Sequence, residues 1–185
     1  AFDPINRPGS WSGVSSFEDI HTQSPANSTQ FPGQTLGGVD DRFDFQLVTG
    51  EMLDSEGMAY ISGSYRAFGN NGTHGCCNNS ITNGNGASPA VLNALMTSSD
   101  HLPVVVDYQL PASMGVQVAA APMSVTLGAS ISLGITISNI ADAVIASGVD
   151  ELDYTLSVSG DLSGGAGGID FALGAGNLHQ VTLNT

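Results

Sequence analysis

The residues best suited to chemistry form the run Ser99-Asp100-His101-Leu102-Pro103-Val104, between a helix-forming stretch and an apolar one. A carboxylate and an imidazole side by side where a strand starts are held by a rigid element. The Asp is able to hold a divalent cation or orient water, and a His with an ordinary pKa of about 6.5 exchanges protons at neutral pH. A second run is Asp40-Asp41-Arg42-Phe43-Asp44-Phe45. Alternation with Phe43 and Phe45 puts Asp44 on the polar face of a strand, where its carboxylate can reach across a sheet and fix an imidazole tautomer. Each run also has a plain reading: Asp100-His101 as a turn, Arg42 paired locally with Asp40 or Asp41, and Asp44 simply solvated.

The elements that must position these residues are read from periodicity. Phe43 to Val48 has the period of a strand with Phe43, Phe45 and Leu47 on its buried face, and a second strand is expected over Met58 to Tyr65. Ser88 followed by Pro89 starts a helix running to Met96, with Val91, Leu92 and Leu95 on one face. Leu102 to Leu110 reads as a strand buried on both sides. Upstream, Ala1 to Gly38 is loop apart from a short helix at Ser15 to Ile20, and Gly69 to Gly86 is a loop rich in Asn and Gly. After residue 111 the chain holds no Arg or Trp, and Ser, Thr, Val, Ile and Gly dominate. Residues 111–121 read as a linker. Strands are expected at Met123 to Leu127, Ser130 to Ile140, Leu152 to Ser159 and Gln180 to Leu183, an all-β pattern with fewer strands than the roughly seven of a closed sandwich.

Composition bounds the partners. The chain has 185 residues, 41% of them hydrophobic, with 3 basic residues against 17 acidic ones and a formal net charge of −14. That is enough apolar material for a core, whereas a disordered acidic tail would carry more charge and less apolar content. The bases are Arg7, Arg42 and Arg66, so no basic patch can form, and binding of nucleic acid needs a cation to screen the field. No apolar run approaches the roughly 20 residues of a membrane span. Cys76 and Cys77 are adjacent, the wrong spacing for a zinc knuckle or a redox pair; they are loop cysteines without a role, form a vicinal disulfide, or pair outside the chain. A lysine-free, acidic, Gly/Ser/Thr/Asn-rich chain suits a secreted, extracellular bacterial protein or one from a salty habitat.

Five segments, in this order, carry a resemblance: Asp3-Pro4-Ile5-Asn6-Arg7-Pro8-Gly9, Ile20-His21-Thr22-Gln23-Ser24, Asp40-Asp41-Arg42-Phe43-Asp44-Phe45, Tyr65-Arg66-Ala67-Phe68-Gly69-Asn70 and Ser98-Ser99-Asp100-His101-Leu102-Pro103-Val104. Together, residues 1–110 resemble the C-terminal half of the endonuclease/exonuclease/phosphatase superfamily, the deoxyribonuclease-I-like phosphodiesterases. The resemblance implies half of a four-layer α/β sandwich and a phosphodiester substrate, nucleic acid among the candidates. It implies His101 at the scissile phosphate, Asp100 as a metal-site acid and Asp44 orienting the histidine. It also implies a divalent cation: Mg²⁺, Mn²⁺ or Ca²⁺. Arg42 and Arg66 are candidate phosphate contacts or structural partners of Asp, and Asn70 and His74 are further candidate contacts. The N-terminal half of the family pattern, with its metal-binding Glu and Asp-x-Asn pair, has no counterpart in Ala1 to Gly38, so activity is expected to need a completing polypeptide.

Residues 122–185 resemble bacterial immunoglobulin-like repeats of the Hydin-related type, through Leu152-Asp153-Tyr154-Thr155-Leu156, the Gly160-Asp161-Leu162-Ser163-Gly164 stretch and Gly176-Asn177-Leu178-His179-Gln180-Val181. The fold class expected for the whole is therefore α+β followed by an all-β sandwich. Both ends look cut, which leaves unpaired sheet edges. Such edges open a different possibility, self-assembly by accepting a strand from a neighbouring copy.

Overall fold

A computed structural model describes all of residues 1–185 as two compact units, one of Ala1–Leu53 with Tyr60–Asp107, the other of Asp54–Ala59 with Tyr108–Thr185. The fold is mixed and β-rich, in several small antiparallel sheets.

In the first unit, regular structure is short. A 3-10 turn covers Ser15–Ile20, strand β1 is Arg66–Ala67, helix α1 is Pro89–Ser98 and strand β2 is Val104–Val105. Helix α1 starts where Ser88 accepts a hydrogen bond from the Val91 N–H, with Pro89 in the first turn. Such a cap stabilises a helix by about 1 kcal/mol. The helix contributes Leu92 to a core completed by Val39, Ile81 and Leu102, each at most 2% exposed, with Ala87, Leu95 and Met96 packed against it. Strands β1 and β2 pair antiparallel, Arg66 opposite Val105 and Ala67 opposite Val104.

Several expected elements differ. Phe43 to Val48 joins no ladder, and Phe43, Phe45 and Leu47 are 56%, 38% and 57% exposed while Val48 is buried. Their alternation is real, but no strand or helix covers that face, where Phe45 packs against Trp11. Met58 to Tyr65 forms no strand; the ladder begins one residue later, at Arg66. The apolar run Leu102 to Leu110 contains no strand longer than β2, apart from an isolated parallel bridge of Leu110 to Val149, and Val104, Val105 and Val106 are half-buried rather than enclosed on both sides.

The second unit has a four-stranded sheet in the order β3 (Met114–Val118), β4 (Ser130–Asn139), β8 (Asn177–Asn184), β6 (Leu162–Ser163), and a separate pair, β5 (Leu152–Ser157) with β7 (Gly165–Asp170). The expected linker 111–121 thus contains a strand, since β4 offers β3 a partner from Met114↔Asn139 to Val118↔Ile135. The glycine-rich run around Gly165 is likewise a strand. Beside β5 the lack of side chains is an advantage: a Cβ on Gly168 would stand 2.8 Å from the Tyr154 hydroxyl. Met123 to Leu127, expected as a strand, joins no sheet, and Met123 and Leu127 are exposed. The two sheets are joined by Tyr154 Oη to His179 Nε2 at 2.6 Å and by the Asn139 N–H donating to Asp170 at 2.8 Å. Asn139 also donates to the Asp150 carbonyl, so buried Asn139, Asp150 and Asp170 form a polar clasp beneath β4.

Candidate functional site

The segment Thr22-Gln23-Ser24 organises the first unit. Its backbone bonds on one side to Gly38 and Asp41, through Ser24 N–H to Gly38 O and Thr22 N–H to Asp41 O, both 2.7 Å. On the other side the Leu102 N–H donates to Thr22 O, also 2.7 Å, and Gln23 is bridged to both Asp41 and His101. Gly38 is required there. Its φ is +87°, and a side chain would collide with the backbone of Asn78 and Asn79. This strip holds segments distant in sequence next to one another.

The Thr22 hydroxyl is wholly buried and accepts hydrogen bonds from two successive amides, Phe43 N–H at 3.0 Å and Asp44 N–H at 3.2 Å. It fixes the backbone from which the Asp44 carboxylate reaches His101. Asp44 Oδ2 lies 2.8 Å from His101 Nδ1, with both side chains a little over one-third exposed. The other ring nitrogen is engaged as well: Gln23 Nε2 lies 3.0 Å from His101 Nε2. An imidazole whose Nδ1–H faces a carboxylate has its lone pair on Nε2, where the Gln23 amide can donate to it. The backbone at His101 is set by its own N–H donating to Ser99 Oγ at 3.0 Å, and Phe43 meets the ring edge-on, centroids 6.3 Å apart.

Of the expected site residues, Asp44 and His101 are therefore brought together. Asp100 faces Thr35, whose N–H donates to Asp100 Oδ2 at 3.2 Å. Hydrogen bonds from Thr35, side chain first and backbone with it, hold the Asp100 carboxyl below the usual carboxylate range. Arg42 is 4% exposed and forms a two-pronged pair with Asp3, Nη1 to Oδ2 at 2.6 Å and Nη2 to Oδ1 at 2.9 Å, with Nη2 also donating to the Tyr65 hydroxyl. The rings of Trp11, Phe45 and Tyr65 surround the guanidinium at 5.3, 4.4 and 5.2 Å. Its partner is neither Asp40 nor Asp41. Arg66 is exposed, donating to Ser64 O and standing 3.8 Å from Asp107. Asn70 is buried and clasps the Ser15–Ile20 turn by donating to the carbonyls of Glu18 and His21. His74 is buried on the Val39 carbonyl at 3.0 Å, and burial pushes its pKa down. Cys76 and Cys77 are bonded to each other.

Sequence reasoning gave no role to Gln23, Thr22 or Asp3. The only signal was that all three lie inside the segments that carry the resemblance. No three His, Cys, Asp or Glu side chains converge so as to hold a metal ion, and Asp100 is the single carboxylate of the expected metal set that this chain supplies, already engaged by Thr35. The residues present do not by themselves fit a divalent cation.

Comparison with protein-family models, with curated proteins and with solved structures returned no match to this chain. What the site can do rests on its own geometry. A carboxylate-oriented imidazole, partly open to solvent, is a group able to accept or deliver a proton at Nε2 once Gln23 yields that position.

Proposed function

We propose that the first unit is the histidine-bearing part of a secreted bacterial metal-dependent phosphodiesterase or nuclease, of the endonuclease/exonuclease/phosphatase type, and that the second unit is a partial immunoglobulin-like module. The observation that carries this reading is the 2.8 Å contact between Asp44 and His101, two residues of the resembling motifs that lie 57 positions apart. In this reading the Gln23 amide leaves His101 Nε2, which takes a proton from the attacking water and, as Nε2–H, donates to a phosphate oxygen. Asp44 keeps the proton on Nδ1 and stabilises the imidazolium formed when Nε2 gains one. Arg66, exposed and donating to Ser64 O, is the candidate phosphate contact, whereas Arg42 serves the fold. Mg²⁺, Mn²⁺ or Ca²⁺ enters no step derived from these residues. Its ligands beyond Asp100 belong, in this proposal, to a completing polypeptide, and the exposed parts of Phe43 and Leu47 are the surface that such a polypeptide would cover.

The test is hydrolysis of bis(p-nitrophenyl) phosphate and of DNA by the secreted polypeptide with Mg²⁺ and with chelator. His101→Ala is expected to lower the rate by about 10²-fold or more, the scale of a lost acid–base group. Full activity in His101→Ala would sink the reading.

A second reading draws on the second unit. Strands β5 and β7 pair only with each other, and edge strand β3 exposes Met114, Val116 and Val118 at 57%, 51% and 62%. Open apolar edges favour self-assembly by strand pairing between copies. Fibres in the electron microscope would support it, and a monodisperse monomer in sedimentation would rule it out.

A further inference from the structure

Beside His101, and wholly within the first unit, is a cavity of about 280 Å³. Val91, Ala94, Leu95 and Ser98 line it from α1, at the spacing i, i+3, i+4, i+7 that marks one helix face. Phe68 and Pro103 form the facing wall, and His101 stands on the lining. We propose that this cavity is a subsite for one aromatic ring carried on the substrate's phosphate, with the phosphate at His101 and the ring against Val91 and Leu95. The proposal rests on the phosphodiesterase reading and names a substrate class for it.

Three features argue for a ring. The lining includes no Asp, Glu, Lys or Arg, so nothing in it attracts a second phosphate or a cation. Of its hydroxyls, Ser98 Oγ donates to Ala94 O at 2.6 Å, and Ser99 Oγ is held as acceptor of the His101 N–H. What remains is apolar surface that gains by losing water. The size also fits: a buried apolar cavity of roughly 150 Å³ accepts benzene, so this one holds a ring together with its link to phosphorus. Finally, the walls are fixed. The Phe68 N–H donates to Pro103 O at 2.8 Å, and Gly69, at φ +87°, lets the chain turn where a Cβ would lie 2.5 Å from Leu95 Cδ1. A preformed pocket costs little ordering on binding.

The experiment is a titration of the full chain in Mg²⁺ buffer with phenyl phosphate, thymidine 5′-phosphate and methyl phosphate, read by ¹H–¹³C NMR at the Val91 and Leu95 methyls and the His101 ring. At least one aromatic ester should shift methyls and ring together and bind about tenfold or more tighter than methyl phosphate, as burial of one ring implies. Phenyl phosphate alone would indicate a plain aryl ester, and thymidine 5′-phosphate a nucleobase. Ala94→Phe, at an exposed position, fills the cavity and should remove that preference, and Val91→Thr should weaken it with no change in shape. Ring shifts at His101 with unmoved methyls would overturn the subsite and leave the phosphodiesterase reading standing. Moving methyls with an unmoved His101 would overturn the reading beneath it. Equal affinity for all three esters would also refute the proposal.

Discussion

Replacing Arg42 by Met tests whether this arginine serves the fold. The side chain is 0% exposed, while its partner Asp3 keeps 23% exposure. Removing one member of a buried ion pair costs about 3–5 kcal/mol, because the other charge loses its partner. Water can still reach Asp3, which places the loss near the lower end, at about 3 kcal/mol. Trp11 is the chain's single tryptophan and lies against Arg42, so its fluorescence in urea reports on the right unit. The pH dependence adds a second check. Burial pushes the Asp3 carboxyl up, but the hydrogen bonds and charge of Arg42 outweigh it and hold it below the usual carboxylate range. A depressed folded pKa means that the stabilisation is complete above the unfolded value of about 4 and is lost as pH falls through the lower folded value. The gap between wild type and Arg42→Met should therefore be widest near neutrality and shrink in acid. Equal urea midpoints at neutral pH, or a gap undiminished in acid, would refute the reasoning.

Thr22→Val keeps the side-chain shape and removes the acceptor of two amides, at an expected cost of about 1–3 kcal/mol. With the backbone of Asp44 released, the Nδ1 proton of His101 should also exchange faster in NMR; an unchanged exchange rate would detach Thr22 from the site. His74 tests the buried core through pH. Burial depresses its folded pKa, so the stability it contributes is complete above the unfolded value of about 6.5 and declines as pH falls below it. Urea midpoints at about pH 7.5 and 5.5 should fall further for wild type than for His74→Gln, and parallel losses would mean that the neutral ring is not what the core selects.

Legibility of this chain in its sequence followed the reach of the interactions involved. Helix α1 was legible because Ser88, Pro89 and the apolar positions after them lie within one or two turns. The turn at Ser15–Ile20 was legible for the same reason. Strands β3 and β7 were not, since Gly115 and the glycines from Gly165 have weak strand preference and become strands through β4 and β5, partners supplied by the fold. Arg42 shows the same limit inside the site. Its neighbours in sequence suggested Asp40 or Asp41, whereas its partner is 39 residues away.

The contact between Asp44 and His101 is a different case, because it depends on residues that carry no chemistry themselves. Thr22 sets the backbone of Asp44, Gln23 lies between Asp41 and His101, and Leu102 bonds back to Thr22. One three-residue segment therefore determines both the approach of the carboxylate and the occupant of the opposite ring nitrogen. Any ligand that takes His101 Nε2 must first displace the Gln23 amide. Its affinity therefore includes the loss of that hydrogen bond, and Gln23 bears on which ligands the histidine accepts as directly as Asp44 bears on its tautomer.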